Sequence, residues 1–160
     1  MNRIYRSNNN IVYSCKYHIV WCPKYRRKVL VQGVDVRLKE LIQSICKELH
    51  VDLIEMEIMP DHVHLLIDVD PQFGVHKVIK SIKGKTSKIL RDEFPWLKSK
   101  IPCLWTNSYF CSTVGGVRLD VVKEYIASQK TSDQKRGRKK CPSTRWDTNS
   151  ESIQTESKKS

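Results

Sequence analysis

Met59-Pro60-Asp61-His62-Val63-His64-Leu65-Leu66-Ile67 is the stretch on which the reading of this chain turns. Side chains alternate across a strand, so His62, His64 and Leu66 share one face while Val63, Leu65 and Ile67 share the other. The second set is aliphatic and belongs in a core. The first set holds two imidazoles one residue apart. Neutral imidazole is the commonest protein metal ligand, and two of them on one sheet face can begin a divalent-metal site if other groups complete it. The same alternation also arises on an exposed sheet face with no chemistry. The rest of the chain has to decide between the two.

Working outward, Asp52 to Met59 reads as a strand joined to His62–Val69 across Pro60-Asp61, a joint tight enough for an antiparallel hairpin. Asp61 suits a turn, and it also stands where it could back up the His pair. Before the hairpin, Val34 to His50 places Val34, Leu38, Leu41, Ile42, Ile45 and Leu49 at helical spacing, away from Arg37, Lys39 and Glu40. Asn10 to Trp21, rich in β-branched and aromatic residues, reads as the first strand. After the hairpin, Asp70-Pro71-Gln72-Phe73-Gly74 is a break, and Val75 to Phe94 is a second helix with Val78, Ile82, Ile89 and Leu90 for the core. Pro95 and Pro102 bound a short linker. Cys103 to Val114 reads as a fourth strand, Gly115-Gly116 ends it, and Val117 to Lys130 forms a last helix. The order β-α-β-β-α-β is the split β-α-β pattern of an α+β ferredoxin-like fold: an antiparallel sheet with helices on one face, here extended by a C-terminal helix. Residues 1–130 then form one domain. Residues 131–160 are rich in Lys, Arg, Ser and Thr, with hardly an apolar side chain, and are expected to be a disordered basic tail.

The 160 residues carry a net charge of +12, which points to a polyanionic partner. Nine cations and four acids lie from Lys130 onward, so most of the excess belongs to the folded part. Two clusters stand out. Lys24, Tyr25, Arg26 and Arg27 join cations to an aromatic ring after the first strand, a combination suited to phosphates and unstacked bases or to a plain solvated turn. Lys80, Lys83 and Lys85 belong to six cations within fifteen residues of the second helix. Six cysteines show no C-x-x-C pair and read as reduced, mostly buried small side chains. No apolar run approaches the length of a membrane span, and the expected location is a reducing cytoplasm.

On the last helix, Tyr125 and Gln129 are four residues apart and share a face, so a hydroxyl and an amide can reach one small region together. Amphipathic packing explains Tyr125 alone just as simply. The conjunction with His62 and His64 is what is specific. It resembles the small single-tyrosine HUH transposases of insertion sequences, the TnpA type. The likeness runs through Lys24-Tyr25-Arg26, Pro60-Asp61-His62-Val63-His64-Leu65, Lys83-Gly84, Leu104-Trp105, Ser108-Tyr109-Phe110, Val114-Gly115-Gly116 and Tyr125-Ile126 with Gln129.

That resemblance implies that residues 1–130 are the catalytic domain and that His62, His64 and Gln129 hold Mg²⁺ or Mn²⁺. It implies that Tyr125 attacks single-stranded DNA at hairpin-bearing element ends, giving a 5′-phosphotyrosine and a free 3′-OH. It further implies a homodimer, with sites shared between subunits, in a prokaryotic cytoplasm. Two alternatives stay open: a host-borne tyrosine nickase acting on palindromic repeats, and a non-catalytic ferredoxin-like nucleic-acid-binding module.

Overall fold

The computed structural model describes residues 5–115 and 119–132, without the side chains of Leu119, Val122 and residues 129–132. Strands β1 (Arg6–Ser7) and β2 (Val12–Tyr13) form a small ribbon. Strands β3 (Lys16–Trp21), β4 (Asp52–Met59), β5 (His62–Asp68) and β6 (Phe110–Thr113) form the main sheet in the order β4-β5-β3-β6, each neighbouring pair antiparallel. Helices α1 (Val34–Glu48) and α2 (Val75–Glu93) connect them, α3 (Trp96–Lys100) is a single short turn, and α4 (Leu119–Ser132) follows the sheet. With β5 inserted between β3 and β4, this is the ferredoxin-like split β-α-β arrangement.

The alternation in β5 sets both faces of the sheet. Val63, Leu65 and Ile67 are fully buried against Val34, Leu38 and Ile42 of α1 and Val78, Ile82 and Leu90 of α2, in one continuous apolar cluster. Burying each such side chain is worth about 1.5–3 kcal/mol. On the opposite face the apolar set is small: Leu66, Val114 and Ile126, with Ile54 at its margin. That second cluster seats α4, which packs beside β4.

Three segments depart from the sequence reading. The expected first strand is interrupted at Ser14-Cys15, where β2 turns away to pair with β1. There the Cys15 N–H donates to the Asp68 carboxylate (3.0 Å) instead of to a strand carbonyl. The linker between Pro95 and Pro102 contains α3, with Pro95 at its N-cap position. The expected strand from Cys103 to Val114 is regular only over Phe110–Thr113. Upstream of it, Trp105 bridges Pro23 and is buried, and its indole N–H donates to Thr86 Oγ1 (3.0 Å). The Lys83 ammonium donates to the carbonyls of Thr106, Asn107 and Ser108 (2.6, 3.1 and 3.2 Å). One side chain thus satisfies three carbonyls that a sheet partner would otherwise have taken. Among the described residues, no helix is long and apolar enough to cross a membrane.

Candidate active site

His62 and His64 both project from β5 toward α4, as their spacing predicts. His64 is 5% exposed, and the two ring centroids are 4.9 Å apart at 80°. Each imidazole is held at Nδ1 by a different partner. His62 Nδ1 lies 2.6 Å from Asp61 Oδ1, and the second oxygen of Asp61 accepts from Arg26 at 3.2 Å. Asp61 is therefore more than the turn residue that the sequence suggests. The hydrogen bond from His62 is the main cause that holds its carboxyl below the usual range. His64 Nδ1 lies 3.1 Å from His18 Nε2, and these two rings meet edge to edge, nearly coplanar, with centroids 5.4 Å apart and a tilt of 7°.

Burial lowers the His64 pKa to about 4, with His62 and His18 adding to the effect, so the ring is neutral at ordinary pH and its lone pair is available. Burial also lowers that of His18. With both Nδ1 atoms occupied, each Nε2 is left without a protein hydrogen-bond partner among the described residues. Two imidazoles with the outer nitrogen open and the inner nitrogen supported form a donor pair that fits a divalent cation. Among the described residues, no three His, Cys, Asp or Glu side chains converge to hold one.

Tyr125 comes from α4 and lies edge-on to His64, with ring centroids 5.9 Å apart at 86°. It is placed there by its neighbour: Ile126 is fully buried in the second cluster, which turns Tyr125, itself 51% exposed, onto the histidine face. The backbone of α4 carries Gln129 one turn beyond Tyr125, but its side chain lies outside the described residues. The chain brings its own Tyr125 to its own His64, so a site shared between subunits is not needed to assemble this pair.

The expected DNA-contacting residues divide. Tyr25 is 68% exposed beneath Lys24, whose ammonium lies 5.5 Å from the ring centroid, and Lys80 and Arg27 are exposed. Arg26 contacts Asp61, Lys85 pairs with Glu48 (2.5 Å), and Lys83 is spent on the three carbonyls described above. Sequence reasoning missed His18. Only the register, which sets His18 opposite Leu66 and two pairs away from His64 on the same face, brings it into the site.

A ferredoxin-like domain in which a helix tyrosine stands over a supported histidine pair defines the class. The family model "Transposase IS200 like" matches residues 11–129. The ISDra2 transposase TnpA of Deinococcus radiodurans is 36% identical over 126 residues, covering 78% of this chain and 90% of that protein. The transposase for insertion sequence element IS200 of Salmonella typhimurium is 32% identical over 124 residues, covering 76% of this chain and 81% of that one. A Deinococcus radiodurans R1 structure solved at 1.90 Å superposes with a TM-score of 0.64 at 34% identity, over 78% of this chain and 97% of that one. A REP-associated tyrosine transposase bound to a REP hairpin shares the fold, with a TM-score of 0.57 at 12% identity, over 80% of this chain and 73% of that one.

The chain belongs to the IS200-like transposase family, and its activity is DNA transposition.

Proposed function

We propose that this protein cleaves and rejoins single-stranded DNA at the ends of an insertion element, with Tyr125 as nucleophile and His62, His64 and Gln129 as the donors to Mg²⁺ or Mn²⁺. The observation that carries the reading is Tyr125 standing edge-on to His64 on the face that also bears His62. The Tyr125 hydroxyl oxygen attacks the scissile phosphorus and loses its proton. The bond from phosphorus to the 3′-oxygen breaks, and that oxygen leaves as a free 3′-OH. The 5′ end stays on the tyrosine. Attack by another strand's 3′-OH on the same phosphorus releases Tyr125 and restores a phosphodiester, so the bond count is conserved and no hydrolytic water is consumed. A bound divalent cation would supply Lewis-acid polarisation of the non-bridging oxygens. Imidazole donors are softer than Mg²⁺ usually takes, which favours Mn²⁺ in vitro.

The DNA is single-stranded with hairpins at the element ends. Support comes from the solved relative bound to a hairpin and from the cations left over once internal pairs are assigned. Arg27, Lys28 and Lys100 surround Trp96 in an open cleft of about 600 Å³, and none of the three has an ion-pair partner among the described residues. Arg27 is on the segment whose Leu30 N–H donates to the Pro60 carbonyl (3.1 Å), beside the Asp61 that holds His62. We assign this cleft to single-stranded DNA, with phosphates on the cations and a base against Trp96. Relatives named for insertion elements favour a mobile-element enzyme over a host-borne nickase.

Covalent capture tests the reading. With Mn²⁺ and single strands carrying the element's hairpin ends, the protein should form an adduct that survives a denaturing gel, and Tyr125→Phe should not. An adduct persisting in Tyr125→Phe would mean that another residue is the nucleophile. Binding without any adduct would favour a non-catalytic module.

A further inference from the structure

We infer that His18 is a positioning residue for His64: by accepting the Nδ1–H of His64 it fixes the tautomer whose Nε2 lone pair points outward to a divalent cation. This rests on the metal reading of the His pair proposed above. A hydrogen bond between two neutral imidazoles contains one proton, so the contact of 3.1 Å between His18 Nε2 and His64 Nδ1 has two possible polarities. If His18 donated, the proton of His64 would sit on Nε2 and block the only nitrogen left for a ligand. If His64 donates, its Nε2 is bare and His18 carries its own proton on Nδ1. Only the second polarity is compatible with a ligand role for His64.

The surroundings make His18 suited to this. It lies on β3 opposite Leu66, in a stretch of six consecutive antiparallel pairs between β3 and β5, so its backbone is fixed relative to that of His64. Its ring meets that of His64 edge to edge and nearly coplanar, the geometry of an in-plane hydrogen bond, and Phe110 of β6 approaches it edge-on at 6.3 Å. Its Nε2 is committed to His64, and among the described residues no trio of His, Cys, Asp or Glu converges, so His18 stands behind the donor set and not in it.

The two ligands then have unlike supports. Asp61 gives His62 an anionic partner that orients the ring. His18 gives His64 a neutral acceptor, which orients the ring and would leave more of a bound cation's charge available to polarise a phosphate.

The test uses His18→Leu, which fills the space without an acceptor, and His18→Gln, whose amide oxygen reaches about as far as Nε2. In the metal-free protein, nitrogen-edited NMR should show the Nδ1–H tautomer of His64 in the wild type, its loss in His18→Leu, and its return in His18→Gln. Mn²⁺ affinity measured without DNA should fall about 10–100-fold in His18→Leu and largely recover in His18→Gln. His18→Leu keeping both the Nδ1–H tautomer and wild-type Mn²⁺ affinity would overturn the assignment. Equal losses in Leu and Gln variants would also overturn it, since they would mark a packing role. Failure of the wild type to take up Mn²⁺ would count against the metal reading instead, with the tautomer measurement still deciding what His18 does.

Discussion

The two faces of the main sheet are built to different ends. Under α1 and α2 the sheet presents Ile19, Val63, Leu65 and Ile67 to a continuous core drawn from β3, β4, β5, α1 and α2. Under α4 it presents His18, His62, His64, Glu57, Lys16 and Asp68, and among the described residues Leu66, Val114 and Ile54 receive Ile126. One strand, β5, serves both sides by simple alternation. Stability is thus concentrated on one face and chemistry on the other, and the helix that delivers Tyr125 is attached by the smaller apolar set. With the smaller apolar set beneath it, α4 is the element expected to open at the least cost.

The sharpest way to break that comparison is to ask whether α4 can leave its own sheet for a partner's. In a dimer mixed from His64→Ala and Tyr125→Phe protomers, exchange of α4 would place both lesions in one composite site and none in the other. Cleavage should then reappear from two inactive proteins. If each α4 stays on its own sheet, as in the chain described above, every site keeps one lesion and the mixture remains inactive. A mixture that is inactive after demonstrated subunit exchange would rule out sharing and leave the role of Tyr125 untouched.

Next in size is a contrast between two fully buried aliphatic residues. Leu65→Ala, in the large core, should cost about 2–5 kcal/mol and lower the Tm by roughly 5–20 °C. Ile126→Ala removes a similar side chain from the small cluster. If α4 opens without the rest, the cost should appear as lost hydrogen-exchange protection across Leu119–Ser132 and slower cleavage, with the Tm lowered by less than half as much. Equal Tm losses for the two variants would mean that α4 is part of the cooperative fold, and the division between the faces would fail.

How much of this was legible in the sequence follows the range of the interactions involved. Helices α1 and α2, the hairpin and the shared face of His62 and His64 follow from periodicity, which is local. The stretch 103–109 misread as strand because Trp105 and its neighbours have strand-like composition, whereas their partners, Thr86 and Lys83, are about twenty residues away on α2. His18 was invisible for the same reason, since nothing near it predicts that β3 and β5 pair in the register that sets it beside His64. Thr86→Val tests the Trp105 anchor. It should cost about 1–3 kcal/mol by leaving the buried indole N–H without an acceptor, whereas Thr86→Ser should be nearly neutral. A Val variant as stable as the Ser variant would remove the hydrogen bond from the account.

The smallest expected effect separates cations that the fold has already used from those it has left over. Net charge alone treats Lys83, Lys85 and Lys100 as equivalent, but the structure does not. Lys83 is half-buried on three carbonyls and its pKa is lowered by burial, Lys85 is paired with Glu48, and Lys100 borders the open cleft with Arg27, Lys28 and Trp96. Each phosphate contact contributes about one unit to the slope of log affinity against log salt. Lys100→Ala should therefore reduce the slope for single-stranded DNA by about 1, with no loss of thermal stability. Lys85→Ala should leave the slope nearly unchanged, because the lysine is already neutralised by Glu48. Lys83→Met should lower stability by loosening residues 106–108, with any loss of affinity showing little salt dependence. If Lys83→Met lowered the slope as much as Lys100→Ala, its ammonium would be facing phosphate in solution. The carbonyl cradle would then be a resting state that DNA displaces.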